Sequence, residues 1–80
     1  MLTVDEYLDK AAHNLGVKSD SQLAKHLGVN RSMISQIRTK RAWPSDATMI
    51  KIAHLADEDE EEALLSLNIW RNSSVRPFRP

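Results

Sequence analysis

The chain has 80 residues, no cysteine, and 11 basic and 11 acidic side chains that cancel at neutral pH. This length leaves room for one small domain, and the lack of cysteine excludes disulfides and thiolate zinc sites. The opening residues have neither a basic region nor a long apolar run, and no stretch approaches the roughly 20 apolar residues that span a bilayer. We expect a cytoplasmic protein with no secretion signal and no membrane contact.

The first predicted helix covers Val4–Leu15. Thr3 and Glu6 have the spacing of a capping box, in which each side chain accepts a hydrogen bond from the other residue's free amide. Apolar residues then recur at helical spacing and form one stripe. Gly16 favours the left-handed conformation that ends a helix.

The second and third helices are short and separated by a tight turn. Ser19 and Gln22 have the spacing of a second capping box, and Gly28 ends the helix that they begin. Asn30 is a favourable N-cap residue for a third helix over Arg31–Arg38.

The rest of the chain predicts two further helices and a tail. Residues 39–44 form a polar, basic loop, and Ser45 caps the fourth helix. The six consecutive acids at 57–62 favour the start of a fifth helix over about 58–71, because carboxylates stabilise a helix N-terminus. Residues 72–80 predict a flexible tail without stable structure. The sequence therefore predicts an all-α, five-helix domain over residues 1–71.

Residues 20–39, DSQLAKHLGVNRSMISQIRT, predict two helices that cross at a steep angle. Such a crossing needs a small contact residue and a turn that permits positive φ, which Ala24 and Gly28 supply. Branched apolar side chains then close a shared core beneath both helices. They are Leu23, Leu27, Val29, Ile34 and Ile37.

This segment resembles the helix-turn-helix family of the Cro and phage-repressor type, also described as XRE-like or lambda-repressor-like. The family pattern of alanine, glycine four residues later and a branched apolar residue six further on falls at Ala24, Gly28 and Ile34. LAKHLGVNRSMISQIRTKR and PSDATMIKIAHLA are similar to the family's second to fourth helices, and the resemblance covers about residues 3–56. It implies a lambda-repressor-like fold and a regulator that binds double-stranded operator DNA.

The resemblance implies base contacts from the exposed start of the third helix. The matching positions here are Arg31, Ser32, Ser35 and Gln36. Arginine can donate two hydrogen bonds to guanine, and glutamine can pair with adenine through both its groups. The four positions share one helical face, opposite Ile34 and Ile37. The alternative is that they form only a solvated face.

Phosphate contacts are expected from the amino end of the second helix and from the loop after the third. The candidates are Ser19, Lys25, Asn30, Arg38, Lys40 and Arg41. Between residues 18 and 41 six cations face one acid, Asp20, which favours attraction of DNA to this part of the chain. Asp20 departs from the family pattern, since many members carry a neutral residue there, and an acid would repel a phosphate.

The fifth helix predicts a dimer surface, because it has more apolar residues than one packed face needs. The residues assigned to it are Leu64, Leu65, Leu67 and Trp70. A homodimer would place two recognition helices about one helical turn apart on a symmetric operator, as expected for a phage or prophage repressor. Trp70 has a choice between this surface and the monomer core, and Trp43 has a choice between packing and a phosphate contact.

Other functions receive less support. The resemblance also fits an antitoxin whose C-terminal segment binds a toxin protein, or an interaction module that has lost DNA binding. His13, His26 and His54 lack the spacing of a helical metal site, and the acidic run lacks the glycine and glutamate of a calcium loop. We expect no metal, no cofactor and no enzymatic activity.

Overall fold

The structure is a computed structural model that describes residues 2–74. It contains α1 (Val4–Leu15), α2 (Asp20–Leu27), α3 (Arg31–Arg38), α4 (Asp46–Leu55) and α5 (Glu60–Ser74). No strand occurs among these residues. The prediction of an all-α fold with five helices is confirmed, and the first three helices have the predicted bounds.

The helices begin at side-chain caps. The Oγ1 atom of Thr3 accepts from the Glu6 amide at 3.1 Å, and the Glu6 carboxylate accepts from the Thr3 amide at 2.8 Å, so this capping box is complete. The Ser19 hydroxyl accepts from the Gln22 amide at 3.2 Å, but the Gln22 side chain accepts from the Lys18 amide at 3.0 Å. The second predicted capping box is therefore half formed, because Gln22 reaches one residue further back.

Two glycines end α1 and α2, as predicted. Gly16 and Gly28 have φ angles of 73° and 74°, in the left-handed region, and their amides donate to carbonyls in the preceding turn. Lys40 after α3 and Asp57 after α4 adopt the same region, with φ angles of 65° and 58°. These two positions store local strain, because a Cβ atom is disfavoured there.

All five helices contribute to one core. Ala24 is only 2% exposed, so the packing around this residue of α2 leaves no room for a larger side chain. The Asn14 amide donates to the Leu55 carbonyl at 3.0 Å, which ties α1 to the end of α4. The buried hydrophobic residues are Val4, Tyr7, Leu8, Ala11, Leu23, Ala24, Leu27, Ile34, Ile37, Met49, Ile52, Ala53, Ala56, Ala63 and Leu67.

The fifth helix starts and ends later than predicted. It begins after Asp59, whose carboxylate accepts from the Glu62 amide at 2.9 Å. Its last turn is anchored by Arg71, which donates to the Asp46 carboxylate and to the Pro44 carbonyl, each at 3.0 Å. The helix continues through residues 72–74, where the sequence predicted the start of the tail; residues 75–80 lie outside the described part of the chain.

The inward face of α5 corrects the predicted dimer surface. Leu67 has no exposed surface and lies in the core, so it cannot contact a second copy. Trp70 packs within the chain: its ring lies 5.7 Å from that of Trp43 in a stacked arrangement and 6.0 Å edge-on from that of Tyr7. Leu65 and Ile69 are instead the exposed large apolar residues, at 58% and 42%.

Candidate nucleic-acid interface

One face of α3 presents the four side chains predicted to contact bases. Ile34 and Ile37 are fully buried against the other helices, which turns the opposite face of α3 outward. The exposed residues of this face are Arg31, Ser32, Ser35 and Gln36. Within residues 2–74 these four side chains form no hydrogen bond or ion pair, so their donors and acceptors are available to a ligand.

The turn between α2 and α3 fixes where this face begins. Gly28 allows the chain to reverse, and Asn30 then starts α3 by accepting a hydrogen bond from the Met33 amide at 2.8 Å. Lys51 of α4 lies beside the turn, since its Nζ atom is 3.6 Å from the place a Cβ atom on Gly28 would occupy. The sequence analysis did not single out Lys51, because its approach to the turn depends on the tertiary packing of α4.

The residues predicted to contact phosphates divide into exposed cations, helix-capping residues and cations that are paired within the protein. Lys25 and Arg41 are exposed, and neither forms an ion pair within the described helices and loops. Ser19 and Asn30 cap helices by accepting through their side-chain oxygens, and the hydroxyl of Ser19 and the side-chain NH2 group of Asn30 can still donate to a phosphate.

Lys40 and Arg38 are engaged inside the protein. The Nζ atom of Lys40 donates to the Asp5 carboxylate at 3.0 Å and to the Arg38 carbonyl at 3.1 Å. Lys40 is exposed, so this pairing leaves its ammonium group within reach of solvent. The assignment of Lys40 as a phosphate contact stays a prediction.

Arg38 is surrounded by three aspartates from two other helices. Its Nε and Nη2 atoms donate to the two carboxylate oxygens of Asp20 at 2.9 and 3.1 Å. The same Nη2 atom donates to Asp9 at 2.9 Å, and Nη1 donates to Asp5 at 3.3 Å. Burial lowers the pKa of Arg38, but the bonds to Asp20 and Asp9 outweigh it and raise the pKa overall. The assignment of Arg38 as a phosphate contact stays a prediction, and these four hydrogen bonds count against it.

This arrangement also accounts for the acid at position 20. Asp20 is the first residue of α2, where its carboxylate is favoured by the helix dipole. Its negative charge is balanced by the bidentate ion pair with Arg38. No local pattern in the sequence predicts this pair, because its partners are 18 residues apart.

The described residues contain no pocket and no group of three metal-binding side chains. Over the same part of the chain, no helix combines the length and the apolar character that crossing a bilayer requires. The candidate interface is the exposed face of α3 together with the exposed cations Lys25 and Arg41.

The comparison with known families agrees with this geometry. A family model described as helix-turn-helix matches residues 15–62, which is more than half of the chain and runs from the end of α1 into α5. No curated protein and no solved structure matches the chain. The matched segment contains the whole α2–turn–α3 unit and the exposed face described above. The chain belongs to the helix-turn-helix family of the XRE and lambda-repressor type, and is a DNA-binding transcription regulator.

Proposed function

We propose that the protein is a repressor of phage or prophage type that binds a two-fold symmetric operator as a homodimer. The exposed face of α3 carries this proposal, since its four polar side chains have no partner among the described residues. Arginine and glutamine on that face have the donor and acceptor patterns that distinguish bases in the major groove. Bound protein would repress by covering a promoter.

The backbone contacts would come from cations beside this face. Lys25 and Arg41 are exposed and without an ion pair in residues 2–74, and Ser19 lies at the amino end of α2. A helix N-terminus and free cations are the groups that usually hold phosphates and fix the register of the protein on the duplex. Lys40 would join them by exchanging Asp5 for a phosphate.

The test of base recognition compares two arginines. Operator sequences are first selected from random duplexes, and binding to the selected and random DNA is then measured over a range of salt concentrations. Arg31→Ala should cost about 1–3 kcal/mol on the selected site and relax the preference at one base pair. Arg41→Ala is the matched control, because loss of a phosphate contact should weaken binding to all duplexes and flatten the salt dependence. Equal effects of Arg31→Ala on selected and random DNA would contradict its role.

The homodimer would form through the outer face of α5. Leu65 and Ile69 are one helical turn apart and are 58% and 42% exposed. Leu64, on the same helix, is half-buried. Leu65→Glu should shift sedimentation toward the monomer and weaken operator binding, whereas His13→Glu, on the exposed surface of α1, should change neither. A wild-type protein that sediments as a monomer both free and on its operator would exclude this dimer.

The same apolar face supports a second candidate, an antitoxin whose C-terminal segment binds a toxin protein. A toxin-like gene directly beside the coding sequence would favour this candidate. The two functions make different predictions for Leu65→Glu: an antitoxin would lose inhibition of the toxin, while a stand-alone repressor would lose its dimer and part of its operator affinity.

A further inference from the structure

The cluster around Arg38 joins the recognition helix to the two helices before it. Arg38 is the last residue of α3, Asp20 is the first residue of α2, and Asp5 and Asp9 lie one turn apart on α1. We infer that Arg38 is a positioning residue that sets the orientation of α3 for base recognition, and that it is not a phosphate contact. This inference rests on the proposed function, since it concerns how the same DNA-binding face is held.

The apolar contacts of α3 come from few side chains. The helix has only 8 residues, its fully buried side chains are Ile34 and Ile37, and Met33 packs against the core from a partly buried position. Hydrophobic contact has no directional preference, so these contacts constrain the tilt and rotation of a short helix less strictly than directional hydrogen bonds do. A planar guanidinium that pairs with both oxygens of one carboxylate fixes a geometry, because both hydrogen bonds must form together.

The guanidinium has only one donor left for DNA. Arginine has five N–H groups. Arg38 donates four hydrogen bonds, two to Asp20 and one each to Asp9 and Asp5, and its side chain is only 27% exposed. To receive more than one hydrogen bond from Arg38, a phosphate would have to displace a carboxylate that is already in place.

The net charge of the cluster is a second argument against a phosphate contact by Arg38. Three aspartates surround two cations, Arg38 and Lys40, which leaves one negative charge in excess. Such a cluster does not attract a phosphate. Its effect on DNA binding is indirect, because Arg38 neutralises Asp20 at the amino end of α2, where an unbalanced acid would repel the backbone.

Three substitutions test this role. Arg38→Met keeps an unbranched side chain but removes all four hydrogen bonds. Arg38→Lys keeps the positive charge but cannot pair with both oxygens of a carboxylate as a planar guanidinium does. Asp9→Asn removes the negative charge of one of the three acidic partners. Each variant is compared with the wild type, well below its unfolding temperature, for affinity to the selected operator, affinity to a random duplex and salt dependence. The orientation of α3 relative to α1 is measured without DNA from residual dipolar couplings.

A positioning role predicts a loss that is larger on the operator than on the random duplex. Arg38→Met should weaken operator binding by roughly 3-fold to 30-fold, as expected for residues coupled in one network. Its binding to the random duplex should fall by a smaller factor, because Asp20 loses its counter-charge in this variant, and the dipolar couplings of α3 should change. Arg38→Lys keeps the counter-charge, so it should bind the random duplex like the wild type and bind the operator more weakly than the wild type. Asp9→Asn should lower the ratio of operator to random binding.

Two results would overturn the inference. A parallel loss on both duplexes, with a salt slope reduced by about one phosphate contact, would make Arg38 a phosphate contact after all. Unchanged operator affinity with unchanged couplings would make the cluster a set of surface ion pairs without influence on α3. If the wild type bound no duplex, the proposed function would fail, and the dipolar couplings of Arg38→Met would decide the orientation of α3 separately.

Discussion

Removing the hydroxyl group of Tyr7 or of Ser66 should raise the free energy of unfolding. Both residues are fully buried between α1 and α5, and their hydroxyl oxygens lie near one another. Neither oxygen has a hydrogen-bonding partner of proper geometry among the described residues. A buried polar group without a partner loses its bonds to water and gains nothing in return.

The size of the effect follows from that loss. An unsatisfied buried group costs about 1–3 kcal/mol, so Tyr7→Phe and Ser66→Ala should each stabilise the fold by an amount in this range. For a domain of this size, about 1 kcal/mol raises the midpoint of thermal unfolding by roughly 4–8 °C. Ser66→Ala also gains some helix propensity, which the exposed substitution Ser35→Ala in α3 measures alone.

Urea unfolding of the two single variants and the double variant tests the assignment. If each hydroxyl is unpaired, the two gains should add within a few tenths of a kcal/mol. If the two hydroxyls formed a good hydrogen bond, each single variant would instead be less stable than the wild type, and the double variant would recover. That pattern would refute the reasoning.

The same tyrosine gives a pH dependence. Burial raises the pKa of Tyr7; the neighbouring Ser66 lowers it, and the carboxylates of Glu62, Glu58 and Asp59 raise it further. The folded state therefore favours the neutral phenol, whose unfolded counterpart titrates near pH 10. Its contribution to stability is complete below about pH 10 and is lost as the pH rises through the folded-state pKa. Urea unfolding on both sides of pH 10 should show a smaller alkaline decline for Tyr7→Phe.

Further substitutions at the two glycines, at Ala24 and at Asp59 test the local structure by thermal or urea unfolding. Gly28→Ala and Gly16→Ala should each cost about 1–2 kcal/mol, because both positions need a left-handed φ and neither new methyl group would clash; a much larger loss at one of them would contradict this. Ala24→Leu should destabilise by about 1–3 kcal/mol through overpacking, whereas Ala47→Leu on the exposed surface of α4 should change little. Asp59→Ala should cost about 1 kcal/mol through loss of the cap of α5, and an unchanged midpoint would exclude that cap.

The sequence was sufficient where the structure depends on neighbouring residues. Thr3, Asn30 and Ser45 cap helices through residues three positions away, and such spacing is visible in the chain itself. Gly28 and Ala24 likewise meet their constraints within one short segment. The bounds of α1, α2 and α3 were therefore predictable.

Tertiary contacts account for what the sequence did not predict. The last turn of α5 persists because Arg71 reaches Pro44 and Asp46, which are more than 20 residues away. The apolar residues of α5 are spread around the helix, so periodicity alone did not indicate which side faces α4. Leu67 is buried in the core, which corrects its assignment to the dimer surface. Leu65 is exposed, so its assignment stays a prediction.

The ion pairs explain how a chain with no net charge can present a basic surface. Among the described residues the acids Asp5, Asp9 and Asp20 are tied to Arg38 and Lys40, Glu58 is tied to Lys10, and Asp46 is tied to Arg71. Within this part of the chain Lys25, Arg31, Arg41 and Lys51 form no such pair. Because exposed charges are screened over about 10 Å at moderate salt, a phosphate responds to the cations beside it and not to the total charge. Folding thus places five acids in ion pairs within the protein, while these four cations form no ion pair among the described residues and can attract a phosphate.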